Sequence, residues 1–409
     1  MPAIDVDEGL TEDQVRLREE THRFAAEVLR PAAMELDGLS PEEVIAPQSR
    51  LRDVFRQAYK AGYHLRSFPP ELGGAGLSGM DAWLVGEEFG WGNAGLSISL
   101  GVTAMPFRFA AMMGNPDLMR ELVMPYVEDT EGKYIGCWCA TEPAHGSDAI
   151  LYSGEYSRPD IHFDCMARLD GDEWVINGQK SAWVSNGTIA THTLAFLCLE
   201  PSMGMMGTGV AVVPLNVPGV TKGKPLNKLG QRPLNQGEIF FDNVRIPRYY
   251  MLLEAGTFGA AGEMVLAGAN AGMSATFSGV ARAAVEEALA YAQKRVQGGV
   301  PIVEHQLVQR RLFDMFAKLE AARSLSRLAN RRLLTGKPTL HYSIAAKVFC
   351  TQTAFELASE AVQIFGGMGL AKGILVEMLL RDARASLIED GANDVLALSG
   401  FRALLREAQ

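Results

Sequence analysis

The stretch AVQIFGGMG (361–369) closes a long helical pattern, and LLRDARASLIEDG (379–391) follows it and ends on two acidic residues before a glycine. Upstream, apolar residues between 339 and 365 recur at alternating spacings of four and three, which places them on one face of an α-helix. The same alternation runs through 303–335. Helices of this length with an apolar stripe pack as a bundle, so the zone 251–409 is predicted to be a C-terminal four-helix bundle. Their length also suggests contacts with a second subunit.

Between 131 and 250 the pattern changes to short apolar clusters that are separated by turn signals. The clusters are YIGCWCA, EWVING, TLAFLCLE, GVAVVPL and EIFFDNVRIP. Cys137 and Cys139 are two positions apart in the first cluster, which is typical of one face of a strand. Asn177-Gly178 is a hairpin-type turn signal. This zone is therefore predicted to be a middle β domain, a barrel or a sandwich.

The first zone, 1–130, has helical patterns and is predicted to be an N-terminal α-helical domain. Thr11 is the expected N-cap of the first helix, because its hydroxyl can accept a hydrogen bond from an early backbone N–H. Pro31 is expected to end that helix, since proline has no N–H to donate. The chain is thus predicted to be an α+β protein of three domains in the order helical, β, helical.

Composition excludes several classes of function. The 409 residues carry a net charge of −10 without a basic stripe, which argues against nucleic acid as a main partner. No apolar run approaches the length that spans a bilayer, so no membrane partner is expected. The N-terminus MPAIDVDEGL shows neither a signal nor a transit peptide, and we expect a cytoplasmic, bacterial-type protein. The five cysteines include no CxxC pair, which favours free thiols and no metal site.

The C-terminal stretch resembles the end of an acyl-CoA dehydrogenase, and the resemblance covers about 10–405. Three further segments match motifs of this family in the same order: CATEPAHGSD (139–148), INGQKSAWVSNG (176–187) and KRVQGGVPIVEHQ (294–306). Each segment alone has a simpler interpretation, such as a turn that closes a strand or a hairpin with a core tryptophan. Together they imply the acyl-CoA dehydrogenase fold and an FAD enzyme that oxidises an acyl-CoA thioester between Cα and Cβ.

The resemblance also implies roles for single residues. Thr141 would hydrogen-bond the flavin near its N1/O2 edge, Trp183 would pack on the isoalloxazine, and Ser185 would reach N5. The remaining cofactor contacts, to the pyrophosphate and the adenosine part, would come from Arg295, Gln306, Gln363, Gly366 and Gly367. Ser147 and Gly391 would contact the substrate.

The expected catalytic base is Asp390, because the match from Phe365 to Gly391 needs no gap and the family usually has a Glu at this position. Glu389 is the runner-up. Asp is one methylene shorter, which withdraws the carboxylate by about 1.5 Å. A misplacement near 1 Å costs on the order of a hundredfold in rate. Some family members place the base on an earlier helix, but that position is Ala269 here and carries no carboxylate.

Other positions depart from the family pattern. Asn270 stands where the family often has Arg, and Gly298 stands where an aromatic side chain usually packs on the cofactor. The segment 149–163 contains roughly ten extra residues, which are expected either at the CoA entrance or in a surface loop. His145 replaces a small residue and is interpreted as a satisfied surface histidine.

Three functions therefore remain open. The first is FAD-dependent α,β-dehydrogenation of an acyl-CoA in fatty acid metabolism, with an unusual acyl chain and hydride transfer to flavin N5. The second is a flavin oxidase of the nitroalkane type, which uses an Asp base. The third is a catalytically silent FAD-binding subunit of a mixed assembly. The implied partners are acyl-CoA and an electron-transfer flavoprotein. The family usually forms homotetramers, as dimers of dimers, and Arg295 acting in trans would require at least a dimer.

We predict that Asp390→Asn abolishes reduction of the bound flavin by substrate while FAD stays bound, because the amide cannot accept the α-proton. Anaerobic bleaching of the flavin absorbance measures this directly. If Glu389→Gln abolishes bleaching and Asp390→Asn does not, the assignment of the base is wrong.

Overall fold

The computed structural model describes residues 9–150, 158–337 and 339–409. Within these ranges helices occupy both ends of the chain and a sheet occupies the middle, as predicted. The N-terminal helices are α1 Glu12–Phe24, α2 Arg30–Asp37, α3 Pro41–Ile45, α4 Arg50–Lys60, α5 Gly79–Gly92, α6 Ala94–Val102, α7 Met105–Met112, α8 Pro116–Leu118 and α9 Met124–Val127.

The first helix begins as predicted but does not end at Pro31. The Thr11 side chain accepts from the Gln14 N–H, and the Gln14 side chain accepts from the Thr11 N–H, which forms a capping box. Helix α1 then continues through a wider π turn, Ala25–Leu29, into α2, where Pro31 lies in the first turn. The prediction was wrong because the wide turn carries the chain past a residue that has no N–H to donate.

In the described part of the middle domain, eight strands form one sheet. Its strands are β1 Gly136–Cys139, β2 Met166–Asp170, β3 Glu173–Lys180, β4 His192–Cys198, β5 Thr208–Pro214, β6 Val220–Lys222, β7 Ile239–Pro247 and β8 Met251–Leu253. The order is β6-β7-β3-β2-β4-β5-β8, and β1 pairs with β4 in parallel. Cys137 and Cys139 are both buried from one face of β1, as their spacing predicted. All five cysteines fall within the described ranges and are free.

The predicted turn at Asn177-Gly178 is wrong, because β3 continues through these residues, with an irregularity in its pairing with β7 between Ile176 and Gly178. The turn between β2 and β3 lies earlier, at Gly171-Asp172. A Cβ on Gly178 would lie 2.7 Å from Cys165 Cα, so the glycine allows two backbones to approach rather than a chain reversal.

The C-terminal domain contains three long helices and two shorter ones. They are α10 Phe258–Lys294, α11 Gln306–Arg332, α12 Leu340–Phe365, α13 Leu375–Ala385 and α14 Asn393–Glu407, and the short strands β9 Val296–Gln297 and β10 Val300–Pro301 follow α10. The predicted apolar stripe of α11 is buried at Met315, Leu319 and Ala322. The helical periodicity therefore correctly predicted this helix and the face that it buries.

One stretch, Ala94–Met112, has the length and composition of a candidate membrane span, although no such run was expected. It comprises α6 and α7, and 56 % of it is buried inside the protein. Core helices of globular proteins pass the same test, so the stretch is weak evidence for a membrane.

Helices α5 and α10 pack so closely that glycines are required on both. A Cβ on Gly279 would lie 1.9 Å from Glu87 O, and a Cβ on Gly90 would lie 1.9 Å from Thr276 O. Charged side chains cross the same contact. Arg282 Nη1 donates to Glu87 at 3.0 Å, and Arg282 also pairs with Glu88 in the buried interior.

We predict that Gly279→Ala lowers the free energy of unfolding by on the order of 3 kcal/mol, because the new methyl group forces the two helices apart. Gly272→Ala on the same helix is the matched control, since nothing lies within 4 Å of its Cβ position. Alanine there should be neutral or stabilising by up to about 1 kcal/mol. Urea unfolding followed by circular dichroism measures both, and equal effects of the two variants would contradict the packing argument.

Candidate active site

The site is built around the turn 386–392, which joins α13 to α14. Lys347 reaches it from α12, and its Nζ donates to Ser386 O at 2.9 Å, Gly391 O at 2.9 Å and Asn393 Oδ1 at 2.8 Å. Asp390 has a φ of 50° in this turn, a left-handed conformation that a residue with a side chain adopts at a cost. The ammonium group of Lys347 therefore forms hydrogen bonds with both ends of the turn and stabilises the left-handed conformation of Asp390.

Asp390, the predicted base, remains accessible to solvent in this turn. Its side chain is exposed to solvent, yet the surrounding protein is dense enough that desolvation raises its pKa above the ordinary value, against the opposing charge of Lys347. Solvent exposure keeps the pKa of a carboxyl group near its ordinary value, whereas desolvation by the surrounding protein raises it. A group that water reaches from one side only experiences both effects. A carboxylate with a raised pKa is a stronger base than one in water.

Glu389, the runner-up, belongs to a hydrogen-bond network. Gln231 Nε2 donates to Glu389 Oε1 at 2.6 Å, and the Gln231 N–H donates to Asp382 Oδ1. Asn93 Nδ2 donates to Asp382 Oδ2 at 2.9 Å. Burial raises the pKa of Glu389, with a further contribution from the negative charge of Asp390, and burial raises the pKa of Asp382 to about 6. The carboxylate of Glu389 thus accepts a hydrogen bond from Gln231.

The predicted flavin hairpin is wrong as a β-hairpin, because β3 and β4 do not pair with each other. Its residues after β3 form the loop between these strands beside the same network, and this loop keeps the name flavin hairpin below. Trp183 is 58 % exposed, which contradicts the interpretation as a core tryptophan and leaves a large aromatic surface to cover a ligand. Gln236 Nε2 donates to Trp183 O at 3.2 Å and to Ser185 Oγ at 3.3 Å. The Ser181 N–H donates to Thr141 O at 2.9 Å, so Thr141 lies next to this hairpin.

The predicted substrate contacts also meet at the turn. Ser147 Oγ accepts from the Ala392 N–H at 2.9 Å, next to Gly391. A Cβ on Gly391 would lie 2.5 Å from Ile150 Cδ1, so the two segments are in close contact. His145 is paired with Asp148 at 2.8 Å and is satisfied, as expected. Residues 151–157, the central part of the predicted extension 149–163, lie outside the described part of the chain.

The other predicted cofactor residues form a second group, beyond the C-terminal end of α12. Arg295, Gln363, Gly366 and Gly367 line one cavity of about 650 Å³. Gln306 lines the adjoining cavity, which shares Gln297 and His305 with the first.

This cavity fits a phosphate-containing group. Gly366 has a φ of 61° and a ψ of −142°, which only glycine adopts readily, and its missing Cβ leaves open space. The Gly366 N–H already donates to Gln363 O and is not free for the predicted hydrogen bond to a phosphate. Gly366 would instead leave space for that phosphate. The side chain of Arg295 is exposed at the end of α10.

One chain does not bring the two groups together. Lys347, beside the turn of Asp390, and Gly366, at the cavity, are 19 positions apart along α12. At about 1.5 Å per helical residue this separation is about 28 Å. The predicted site residues therefore form two sites in each chain.

Two of the residues that hold the turn were missed from the sequence. Lys347 lies three residues after Ile344 and four before Thr351, both on the predicted buried stripe of α12. A lysine on an apolar stripe is a detectable signal, because a buried ammonium group needs specific partners. Gln231 lies in the segment between β6 and β7 and had no signal of this kind.

Comparison with known proteins gives consistent matches over the whole chain. The models of the N-terminal, middle and C-terminal domains of acyl-CoA dehydrogenase match residues 11–128, 137–244 and 259–405. The mitochondrial short-chain specific acyl-CoA dehydrogenase of Rattus norvegicus is 31 % identical over 398 residues, which cover 97 % of this chain and 91 % of that protein.

Solved structures agree. The butyryl-CoA dehydrogenase of Megasphaera elsdenii superposes with a TM-score of 0.85 at 28 % identity, covering 98 % of this chain and 100 % of that one. A chain from a structure described as an electron transferring flavoprotein of Acidaminococcus fermentans has a TM-score of 0.85 at 29 % identity, with the same coverage.

We predict that Lys347→Met lowers the free energy of unfolding by about 3 kcal/mol, because three oxygen acceptors lose a buried donor while the side-chain volume is nearly kept. Lys318→Met is the control, since Lys318 of α11 forms a solvent-exposed ion pair with Glu356 of α12. Its cost should be below about 1 kcal/mol. Urea unfolding compares the two, and a Lys347 variant as stable as the control would show that the ammonium group does not hold the turn.

Proposed function

The chain belongs to the acyl-CoA dehydrogenase family, and from this premise we propose that it binds FAD and oxidises an acyl-CoA thioester with Asp390 as the base. Its relatives are oxidoreductases that act on CH–CH groups. The observation that carries the proposal is the arrangement of Asp390. A desolvated carboxylate opens to solvent in a turn that Lys347 holds, with Ser147 on one side. These features suit removal of a weakly acidic α-proton.

Each residue then has a chemical role in the proposal. Asp390 accepts the α-proton on its carboxylate, and Lys347 keeps that carboxylate in position. Trp183 covers the reacting face and excludes water. When bound, FAD supplies the acceptor for the hydride that leaves Cβ. Thr141 and Ser185 would hold the flavin ring. The acyl chain is proposed to be an unusual one, since the site departs from the family pattern.

We further propose that the enzyme is a homo-oligomer, with a dimer of dimers as the expected form. Lys347, which bonds the turn of Asp390, and Gly366, which lines the cavity of Arg295, are separated by about 28 Å along α12. The ribityl chain between a flavin ring and its first phosphate has about seven single bonds and spans less than about 11 Å. One FAD therefore cannot contact both groups of one chain. Arg295, Gln306, Gln363, Gly366 and Gly367 would bind the cofactor of a second copy.

An electron-transfer flavoprotein is the proposed acceptor of the electrons. The similarity to a chain from the Acidaminococcus fermentans electron transferring flavoprotein structure supports this proposal. The alternative of a nitroalkane oxidase keeps the same base and needs no CoA site.

We predict that the purified flavoprotein is bleached anaerobically by at least one acyl-CoA from a panel of straight, branched and cyclic chains. Nitroalkanes are tested beside them. Bleaching by a nitroalkane with no response to any thioester would replace the proposal by the oxidase, and a flavin that responds to neither would favour a silent subunit.

The pH dependence of this bleaching has a defined sign. Only the ionised carboxylate accepts the proton, so the rate falls as the pH is lowered through the pKa of Asp390. Because burial raises that pKa, the midpoint lies above the usual value of about 4. The measurement is the first-order rate constant of bleaching at saturating thioester between pH 5 and pH 9.

A further inference from the structure

The segment 229–236, between β6 and β7, contacts the base turn at one end and the flavin hairpin at the other. Its first residues dock on the end of α13. A Cβ on Gly230 would lie 2.2 Å from Arg381 O, and Arg381 Nη1 donates to Leu229 O at 3.0 Å. A close backbone contact and a side-chain hydrogen bond therefore hold this end of the segment against α13.

The other end of segment 229–236 is bonded to the hairpin 183–188. Asn235 O accepts from the Asn186 N–H at 2.9 Å, and Asn235 Oδ1 accepts from Thr188 Oγ1 at 2.6 Å. Gln236 adds its two bonds to Trp183 O and Ser185 Oγ. Four hydrogen bonds thus fix the hairpin to this segment.

Gln231 is the contact between segment 229–236 and the turn that carries Asp390. Its φ of 50° turns the chain, and its backbone N–H and Nε2 bond Asp382 Oδ1 and Asp382 O. Its Nε2 also donates to Glu389 Oε1 at 2.6 Å, one residue before Asp390. One side chain therefore bridges the last turn of α13 and the base turn.

We propose that Gln231 and Glu389 form a positioning pair, through which segment 229–236 sets the separation between Asp390 and the flavin hairpin. This inference rests on the proposed function, in which an acyl chain lies between the base and the flavin. Proton and hydride then leave from neighbouring carbons toward opposite partners, so that separation governs the rate. An Asp base is shorter than Glu by one methylene and tolerates little error.

The pair also explains why Glu389 is not itself the base. Its carboxylate accepts a hydrogen bond from Gln231, and the charges of Asp390, Lys347 and Lys228 act on it. Lys228 bonds Gln236 Oε1 at 2.7 Å, within reach of the same segment. Glu389 acts through Asp390, as a positioning residue.

The test is a double-mutant cycle on the holoenzyme with Gln231→Leu, Glu389→Leu and the double variant. Each single variant should slow flavin bleaching about a hundredfold at saturating thioester, since the base moves by about 1 Å, while the Kd for the thioester changes little. The double variant should be no slower than the slower of the two single variants, because the hydrogen bond between the two side chains is already lost in each of them. Glu389→Gln, whose amide oxygen still accepts from Gln231, should recover at least about tenfold of the loss.

A second measurement does not depend on turnover. Hydrogen exchange of the backbone amides of 386–393 should accelerate equally in both single variants and no further in the double. Gln352→Leu is the matched control, because Gln352 bonds Glu356 at 3.1 Å on the exposed face of α12. It should change neither rate nor exchange.

Three outcomes would overturn the proposal: losses that multiply in the double variant, a Glu389→Gln variant as slow as Glu389→Leu, or exchange that the single variants leave unchanged. If no thioester bleaches the wild-type flavin, the proposed function fails. The exchange measurement still decides whether the pair holds the turn.

Discussion

A buried ammonium group is the constraint on which the rest of the site depends. Lys347 is fully inside the protein, where burial lowers its pKa and a charge without partners would be costly. Its partners are three oxygens at the two ends of the turn 386–392, and satisfying the charge therefore also fixes the turn. Asp390 occupies a left-handed conformation there, and such strain persists only where the surroundings hold it. The helix α12 thus holds the turn that carries the predicted base.

The same helix separates the two functional groups of the chain. Its N-terminal half holds the base turn, and its C-terminal end opens on the cavity of Arg295, Gly366 and Gly367. Because a helix is stiff and about 1.5 Å long per residue, this separation cannot be closed by small adjustments. The arrangement supports the proposed oligomer, in which each cofactor would be held by two copies of the chain. Helix α10 is held against α5 by close backbone packing and by the buried ion pairs of Arg282 with Glu87 and Glu88.

Much of the fold was predictable because periodicity reflects burial directly. The apolar stripes of α11 and α12 and the alternation at Cys137 and Cys139 depend only on which side chains face the core. The errors concern residues whose local preference was overridden by neighbours. Pro31 stays in the helical path because a π turn precedes it, and Gly178 serves a close approach to Cys165. A local rule cannot include partners that are distant in sequence.

For this protein the sequence alone determined the three-domain order and the family resemblance, since these depend on composition and spacing, and an ungapped match led to the prediction of Asp390 over Glu389 as the base. Only the tertiary structure decided which residues hold the turn that carries these two carboxylates. Gln231 is 158 residues from Glu389 in the chain, and Lys347 is 44 residues from Gly391, yet each pair is joined by a hydrogen bond. Such contacts arise when separate elements pack together, and single-sequence patterns do not contain that distance information. The separation of the cofactor residues into two groups has the same origin, since it follows from the length of a folded helix.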